Sequence, residues 1–210
     1  MLKENKKTLL LTCGVILLPI LAGLLLWNRL PERIPAHWGL GGEVDGWNGK
    51  GFAVFAMPLM MLGLQLLCFF VTASDPKRSN IRRKFFTLVL WIIPVLSVLT
   101  SSISYAAALG VQLPVDRIVP GFMGLMLVII GNYMPKFQQS YTLGIKLPWT
   151  LNSEENWNRT HRFGGRIWAA GGLGVILSSL LGWSLVSLAI FLVIVLAPTI
   201  YSYVLFRKGI

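Results

Sequence analysis

Six stretches of this chain, 8–26, 52–73, 85–109, 118–134, 167–181 and 184–205, contain no Asp, Glu, Lys, Arg or His. A hydrocarbon core of about 30 Å is crossed by roughly 20 helical residues rising about 1.5 Å each, so these runs are of bilayer-spanning length, the fifth being short. Lipid offers no partner to an unpaired backbone group, and a barrel would need many more, shorter, alternating segments, so helices are expected. Composition agrees: 55% of the 210 residues are hydrophobic and 13% charged, against about 25% charged in soluble domains. The fold class predicted is an all-α integral membrane protein, a single membrane domain over 1–210, with an outer loop at 27–51 and an inner loop at 135–166.

Orientation follows from Lys and Arg, which accumulate in cytoplasmic loops. With both termini inside, only Arg29, Arg33, Lys50 and Arg117 of the 19 basic residues fall outside, while the 8 carboxylates divide evenly. The net charge of +11 then reflects topology and attraction to anionic membrane lipid, and direct nucleic acid binding is not expected. The first span reads as an uncleaved anchor, since no A-x-A site follows it and Cys13 precedes most of its apolar run. Cys13 and Cys68 read as small buried side chains rather than a disulfide.

Inside the spans, Pro19, Pro58, Pro94 and Pro198 each remove a backbone hydrogen bond and invite a kink. Ala170, Gly174 and Ser178 recur every fourth residue and make a smooth face for a neighbouring helix; Ser97, Ser101 and Tyr105 form a row suited to interhelical hydrogen bonds. A charge at mid-bilayer costs at least about 2.5 kcal/mol and is normally kept for ion or proton traffic. Its absence disfavours an ion pump or proton-coupled carrier and leaves a transporter of neutral solutes open.

In the outer loop, His37, Glu43 and Asp45 lack the paired histidines or cysteines of a zinc signature, and no serine or cysteine nucleophile accompanies them. No catalytic residue, metal site or cofactor is assigned. Pro31 and Pro35 stiffen the chain, the glycines between 39 and 49 permit sharp turns, and Trp27, Trp38 and Trp47 suit the headgroup layer. The loop is expected to fold over the helix mouths as a cap whose aromatic, mixed-charge surface suits a peptide; its alternative role is to seat the bundle in the interface.

The inner loop is organised too. Pro135 ends the fourth helix, 141–146 suits an extended stretch, and Pro148 with Trp149 turns it. Ser153 is a candidate N-cap, with Glu154 and Glu155 in the first turn and Arg159, His161 and Arg162 in the last, which predicts a short interfacial helix. Trp157 and His161 would share its face, and Gly164 and Gly165 would loosen the junction into the fifth span.

These loops carry a family resemblance. Pro35-Ala36-His37-Trp38, followed by Gly42, Asp45 and Lys50, is similar to the outer motif of the SdpI-type immunity proteins, bacterial membrane proteins that protect a producer from a secreted killing peptide. The inner segment resembles that family's second signature through Asn132, Pro135, Lys136, Gly144, Lys146, Trp149, Thr150, Glu154, Trp157, Thr160, His161 and Gly164. Lys146 stands where arginine is usual. The resemblance implies a multi-pass protein of the bacterial plasma membrane, in contact with lipid, that engages a toxin peptide; in the best-known members it also implies retention of a small cytoplasmic repressor at the membrane. The competing readings are an enzyme using His37 or His161 as general base, and the neutral-solute transporter.

Overall fold

A computed structural model describes residues 2–210. Its elements are α1 (Leu2–Leu25), β1 (Arg33–Trp38), β2 (Val44–Gly49), a π-helical turn (Phe52–Ala56) running into α2 (Met57–Ala73), α3 (Arg83–Ala108), α4 (Val115–Tyr133), α5 (Pro148–Asn152), α6 (Glu154–Leu180) and α7 (Ser184–Arg207). Among the described residues six helices are long and apolar enough to cross a membrane. Each carries one of the six uncharged stretches. Side chains such as Leu25, Leu67, Leu177, Leu185 and Val195 project from them exposed, as expected of helices whose solvent is hydrocarbon. The wide π turn falls directly before Pro58, where an α-helical turn would meet the proline ring.

The chain forms two compact units: residues up to Ser74 together with Arg82–Val115, and Asp75–Ile81 together with Asp116–Ile210. In the first, polar side chains cross-link three apolar helices. Buried Gln65 donates from Nε2 to Thr12 Oγ1 at 3.0 Å and to the Leu90 carbonyl at 2.9 Å. Ser97 Oγ and Tyr105 Oη, two members of the row on α3, each donate at 3.2 Å to α1 carbonyls, those of Ile16 and Pro19. Such bonds are worth about 0.6 kcal/mol each in a membrane, but they fix which faces meet where lipid and leucine are otherwise equivalent.

In the second unit the helices approach through glycine. A Cβ on Gly131 would lie 2.8 Å from the Gly165 carbonyl oxygen and 2.6 Å from the Ala169 nitrogen; one on Gly172 would lie 2.6 Å from the Gly124 carbonyl oxygen. Gly124 and Gly131 on α4, and Gly165 and Gly172 on α6, are each seven residues apart, two turns of one helix face. The α6–α7 hairpin closes through Ser178 Oγ and Ser187 Oγ at 2.7 Å and a Trp168 Nε1 donation to the Ile194 carbonyl at 3.1 Å. Gly171 and Gly174 pack on Ile194 and Ile190. Ala170, placed on the smooth face by its spacing, is exposed, so the row against α7 is Gly171, Gly174 and Ser178.

Two loop expectations need correction. The short interfacial helix after Ser153 does not end at Gly164 and Gly165: α6 is unbroken from Glu154 to Leu180. The reason is tertiary. Both glycines are sites of close approach, Gly165 to the Gly131 carbonyl and Pro135, and Gly164 to Ile145, Met134 and Pro198, so their missing side chains serve packing rather than flexibility. Residues 141–144 are bends and 145–147 have no regular structure, so no extended strand forms there. The Ser153 cap is present, its Oγ accepting the Asn156 N–H at 3.2 Å.

Candidate functional site

The 27–51 loop is a β-hairpin. β1 and β2 pair antiparallel with Arg33 opposite Gly49, Pro35 opposite Trp47 and Trp38 opposite Val44, and the register is irregular on both sides of His37. Gly42 turns the chain at φ +85, a backbone angle glycine adopts freely. Opposite His37 stands Gly46, whose Cβ would come within 2.9 Å of the histidine Cβ; the irregular pairing leaves no space for a side chain there. His37 Nδ1 meets Asp45 Oδ1 at 2.5 Å, with both side chains exposed.

The hairpin is rooted in the helix ends. Buried Leu30 and Ile34 pack with Ala53, Val54 and Tyr105. Lys50, 10% exposed, extends its ammonium to Glu32 at 3.1 Å and the Trp27 carbonyl at 3.3 Å, with the Trp27 ring centroid 5.0 Å away. Of the outer motif, Pro35, His37, Trp38, Gly42 and Asp45 therefore lie in the hairpin and Lys50 fastens it. Replacing Lys50 by alanine removes the charged hydrogen bond and the cation–aromatic contact together. The expected loss is about 1–2 kcal/mol, read as a lower thermal midpoint of the purified protein.

What the hairpin presents is Leu40 at 60% exposure and Trp47 at 52%, beside the His37–Asp45 pair. Among the described residues no group of three His, Cys, Asp or Glu is placed to hold a metal ion.

Five residues of the 135–166 signature, Thr150, Trp157, Thr160, His161 and Gly164, are buried in the second unit. Trp157 and His161 stack, centroids 4.0 Å apart at 23°, both buried. Trp157 Nε1 donates to the Phe137 carbonyl at 2.8 Å. His161 Nδ1 faces the Trp157 carbonyl at 2.8 Å, and its Nε2 faces the Ile145 N–H at 2.9 Å. A carbonyl requires a donor and an amide an acceptor, so the ring is the neutral Nδ1–H tautomer with both nitrogens occupied. Gly144 lies against this stack at φ +117, and a Cβ there would come within 2.4 Å of His161 Nε2 and 2.7 Å of the Trp157 ring.

Thr150 Oγ1 accepts the Leu147 N–H at 2.8 Å and lies 2.9 Å from the Ile145 and Leu147 carbonyls. Trp149 Nε1 donates to Ser202 Oγ at 2.7 Å. Ser202 Oγ donates in turn to Asn156 Oδ1 at 2.8 Å, which also accepts from Thr160 Oγ1 at 3.0 Å. Asn132, Pro135, Lys136, Lys146 and Glu154 are exposed.

Sequence reasoning missed Asp75, Gln139, Asn156 and Ser202, all buried. Asp75 stands before Pro76 in a turn-forming sequence, a signal available to inspection; besides the Lys77 N–H, its partners lie 66 and 67 residues away, and those two leave no local trace. The buried face of α6 carrying Asn156 and Thr160 is visible as an i, i+4 spacing.

Comparison with known proteins bears on both loops. Residues 136–202 match the SdpI/YfhL protein family, and residues 14–62 match a domain of unknown function (DUF1648) that includes the hairpin. No solved structure matches. The chain is 25% identical over 214 residues, covering 99% of its own length and 98% of the relative's, to Immunity protein SdpI of Bacillus subtilis. The chain thus resembles the SdpI-type immunity proteins, over residues 136–202 in the family match and along 99% of its length in the Bacillus subtilis relative.

Proposed function

We propose that this chain is an immunity protein of the bacterial plasma membrane that protects its cell from a secreted toxin peptide. The observation that carries the proposal is the end-to-end similarity to Immunity protein SdpI. In this reading six helices cross the bilayer with both termini in the cytoplasm, the hairpin faces outward and the 135–166 loop faces inward, as the distribution of Lys and Arg requires. The hairpin is the peptide-recognition surface: Trp47 and Leu40 supply exposed apolar area, and Asp45 and Glu43 supply charge that orients an amphipathic ligand. On the cytoplasmic side, the exposed residues Lys136, Lys146 and Glu154 form the surface for retaining a repressor protein at the membrane.

The occupied nitrogens of His161 speak against a general base at that position, because a base needs a free lone pair within reach of substrate. His37 has an exposed imidazole, but the 27–51 loop offers it no hydroxyl or thiol to activate.

The test is survival. A sensitive bacterium producing this chain in its membrane is challenged with secreted killing peptides; protection supports the proposal, and full sensitivity at normal membrane levels rejects it. Because Trp47 is half exposed, Trp47→Ala leaves the fold intact; it changes the peptide dose that the cells survive by at most about a tenth if the hairpin is a bystander, and lowers that dose about tenfold or more if Trp47 is an anchor. The second outcome is expected. Reporter fusions at the hairpin and at 135–166 that report one and the same side of the bilayer would refute the topology.

A further inference from the structure

The segment joining α2 to α3 behaves as a clamp rather than a linker. Residues Asp75–Ile81 belong to the same compact unit as the 135–166 loop, and their side chains make four hydrogen bonds with residues 139–142. Asp75, 2% exposed, uses both carboxylate oxygens. Oδ1 accepts the Lys77 N–H at 2.7 Å, and Oδ2 accepts the Tyr141 N–H at 2.9 Å and the Thr142 hydroxyl at 2.7 Å.

Its neighbours grip Gln139. Lys77 Nζ donates to Gln139 Oε1 and lies 5.6 Å from the Tyr141 ring centroid, while Asn80 Nδ2 donates to the Gln139 carbonyl at 2.9 Å. Gln139 passes the restraint on, donating from Nε2 to the Thr150 and Leu151 carbonyls at 2.8 and 2.9 Å. A buried carboxylate is costly unless its oxygens are satisfied, and here the donors that satisfy it are mostly those of the loop. Neither half of the arrangement is polar-satisfied without the other.

We propose that Asp75 is the positioning residue of the 135–166 loop, and that the order it imposes is required for protection. It touches no ligand. It acts by holding residues 139–142 so that Gly144 and Ile145 seat on the Trp157–His161 stack, one bonded segment later. This inference rests on the immunity reading for its second half only.

The experiment is hydrogen exchange on the full chain in lipid nanodiscs, paired with the survival assay. In Asp75→Ala the Tyr141 and Lys77 amides and the Thr142 hydroxyl lose their acceptor, and amides in 139–147 exchange about tenfold faster or more, while peptides covering the Ser178–Ser187 hairpin keep their wild-type rates. Asp75→Asn, isosteric and retaining one acceptor oxygen, falls between wild type and alanine in both exchange and protection; that graded rescue is what a general loss of stability does not produce. Unchanged exchange over 139–147, or an equal rise over 178–187, overturns the positioning role. Faster exchange with full protection overturns the requirement for immunity while leaving the immunity reading intact. A wild-type chain that protects against nothing sinks that reading instead, and exchange alone then decides whether Asp75 orders the loop.

Discussion

Gly144→Ala is expected to abolish the native packing of the 135–166 loop. Two independent costs act at this position. The backbone sits at φ +117, where any residue with a Cβ is strained by about 1–3 kcal/mol. The added methyl would also lie 2.4 Å from His161 Nε2 and 2.7–2.8 Å from the Trp157 ring, and forcing extra volume into a packed site costs about 1–3 kcal/mol more. The ring atoms cannot retreat cheaply. Trp157 is pinned by its Nε1 bond to the Phe137 carbonyl, and His161 by bonds at both nitrogens. A combined loss of about 2–6 kcal/mol is comparable with the whole stability of many domains. The measurable result is loss of intact protein from the membrane, or a collapsed thermal midpoint in detergent followed by tryptophan fluorescence. A variant of wild-type stability would show that Gly144 does not sit on the stack.

The second large effect lies in the glycine seam between α4 and α6. Gly131→Leu and Gly172→Leu put side chains where the opposing atoms are backbone: the Gly165 carbonyl and Ala169 nitrogen for one, the Gly124 carbonyl and Val128 nitrogen for the other. Backbone in a helix has no alternative rotamer, so the only relief is to separate the helices. In lipid, where no hydrophobic gain restores the contact, separation forfeits the van der Waals packing that drives association. Even Gly131→Ala or Gly172→Ala is expected to cost about 1–3 kcal/mol; the leucine variants should exceed that and fail to accumulate. By contrast Gly63→Leu on α2, where a Cβ meets nothing within 4 Å, should be tolerated. Equal yields for all three leucine variants would remove the seam from the account of this unit.

The order of effects follows how deeply each residue is committed. Gly144 and the seam glycines act through steric exclusion, which admits no compromise, whereas Lys50 and Trp47 act through partly solvated contacts worth less. The same distinction governs what inspection of the chain reveals. The six crossings are legible because hydrocarbon imposes one rule on every residue in contact with it, and that rule is local: uncharged, apolar, about twenty residues long. The Ser153 cap and the Ser97–Tyr105 row are legible for the same reason, since an N-cap and a helix face are set by neighbours within a turn or two.

Loops obey no such rule. That residues 33–49 form a two-stranded hairpin depends on pairing Arg33 with Gly49 across the turn; the glycines and prolines there announce turns without announcing strands. Gly164 and Gly165 illustrate the opposite failure. As letters they read as a loosened junction, yet in the folded unit they are places where α4, Pro198 and Ile145 approach α6 closely, and the helix continues through them. Asp75 is the extreme case, its function residing in partners more than sixty residues away.

The amino-acid order by itself determined that this chain crosses a bilayer in helices, where those helices run, and which two loops carry polar chemistry, because solvent exclusion acts on each residue singly. Only the tertiary structure decided that Thr150, Trp157, Thr160, His161 and Gly164 of the loop signature form a buried scaffold, that His161 is neutral with both nitrogens bonded, and that a carboxylate between α2 and α3 holds the 135–166 loop. Those outcomes require donors, acceptors and excluded volume from distant segments to meet at distances of a few ångströms, and no local pattern encodes a meeting.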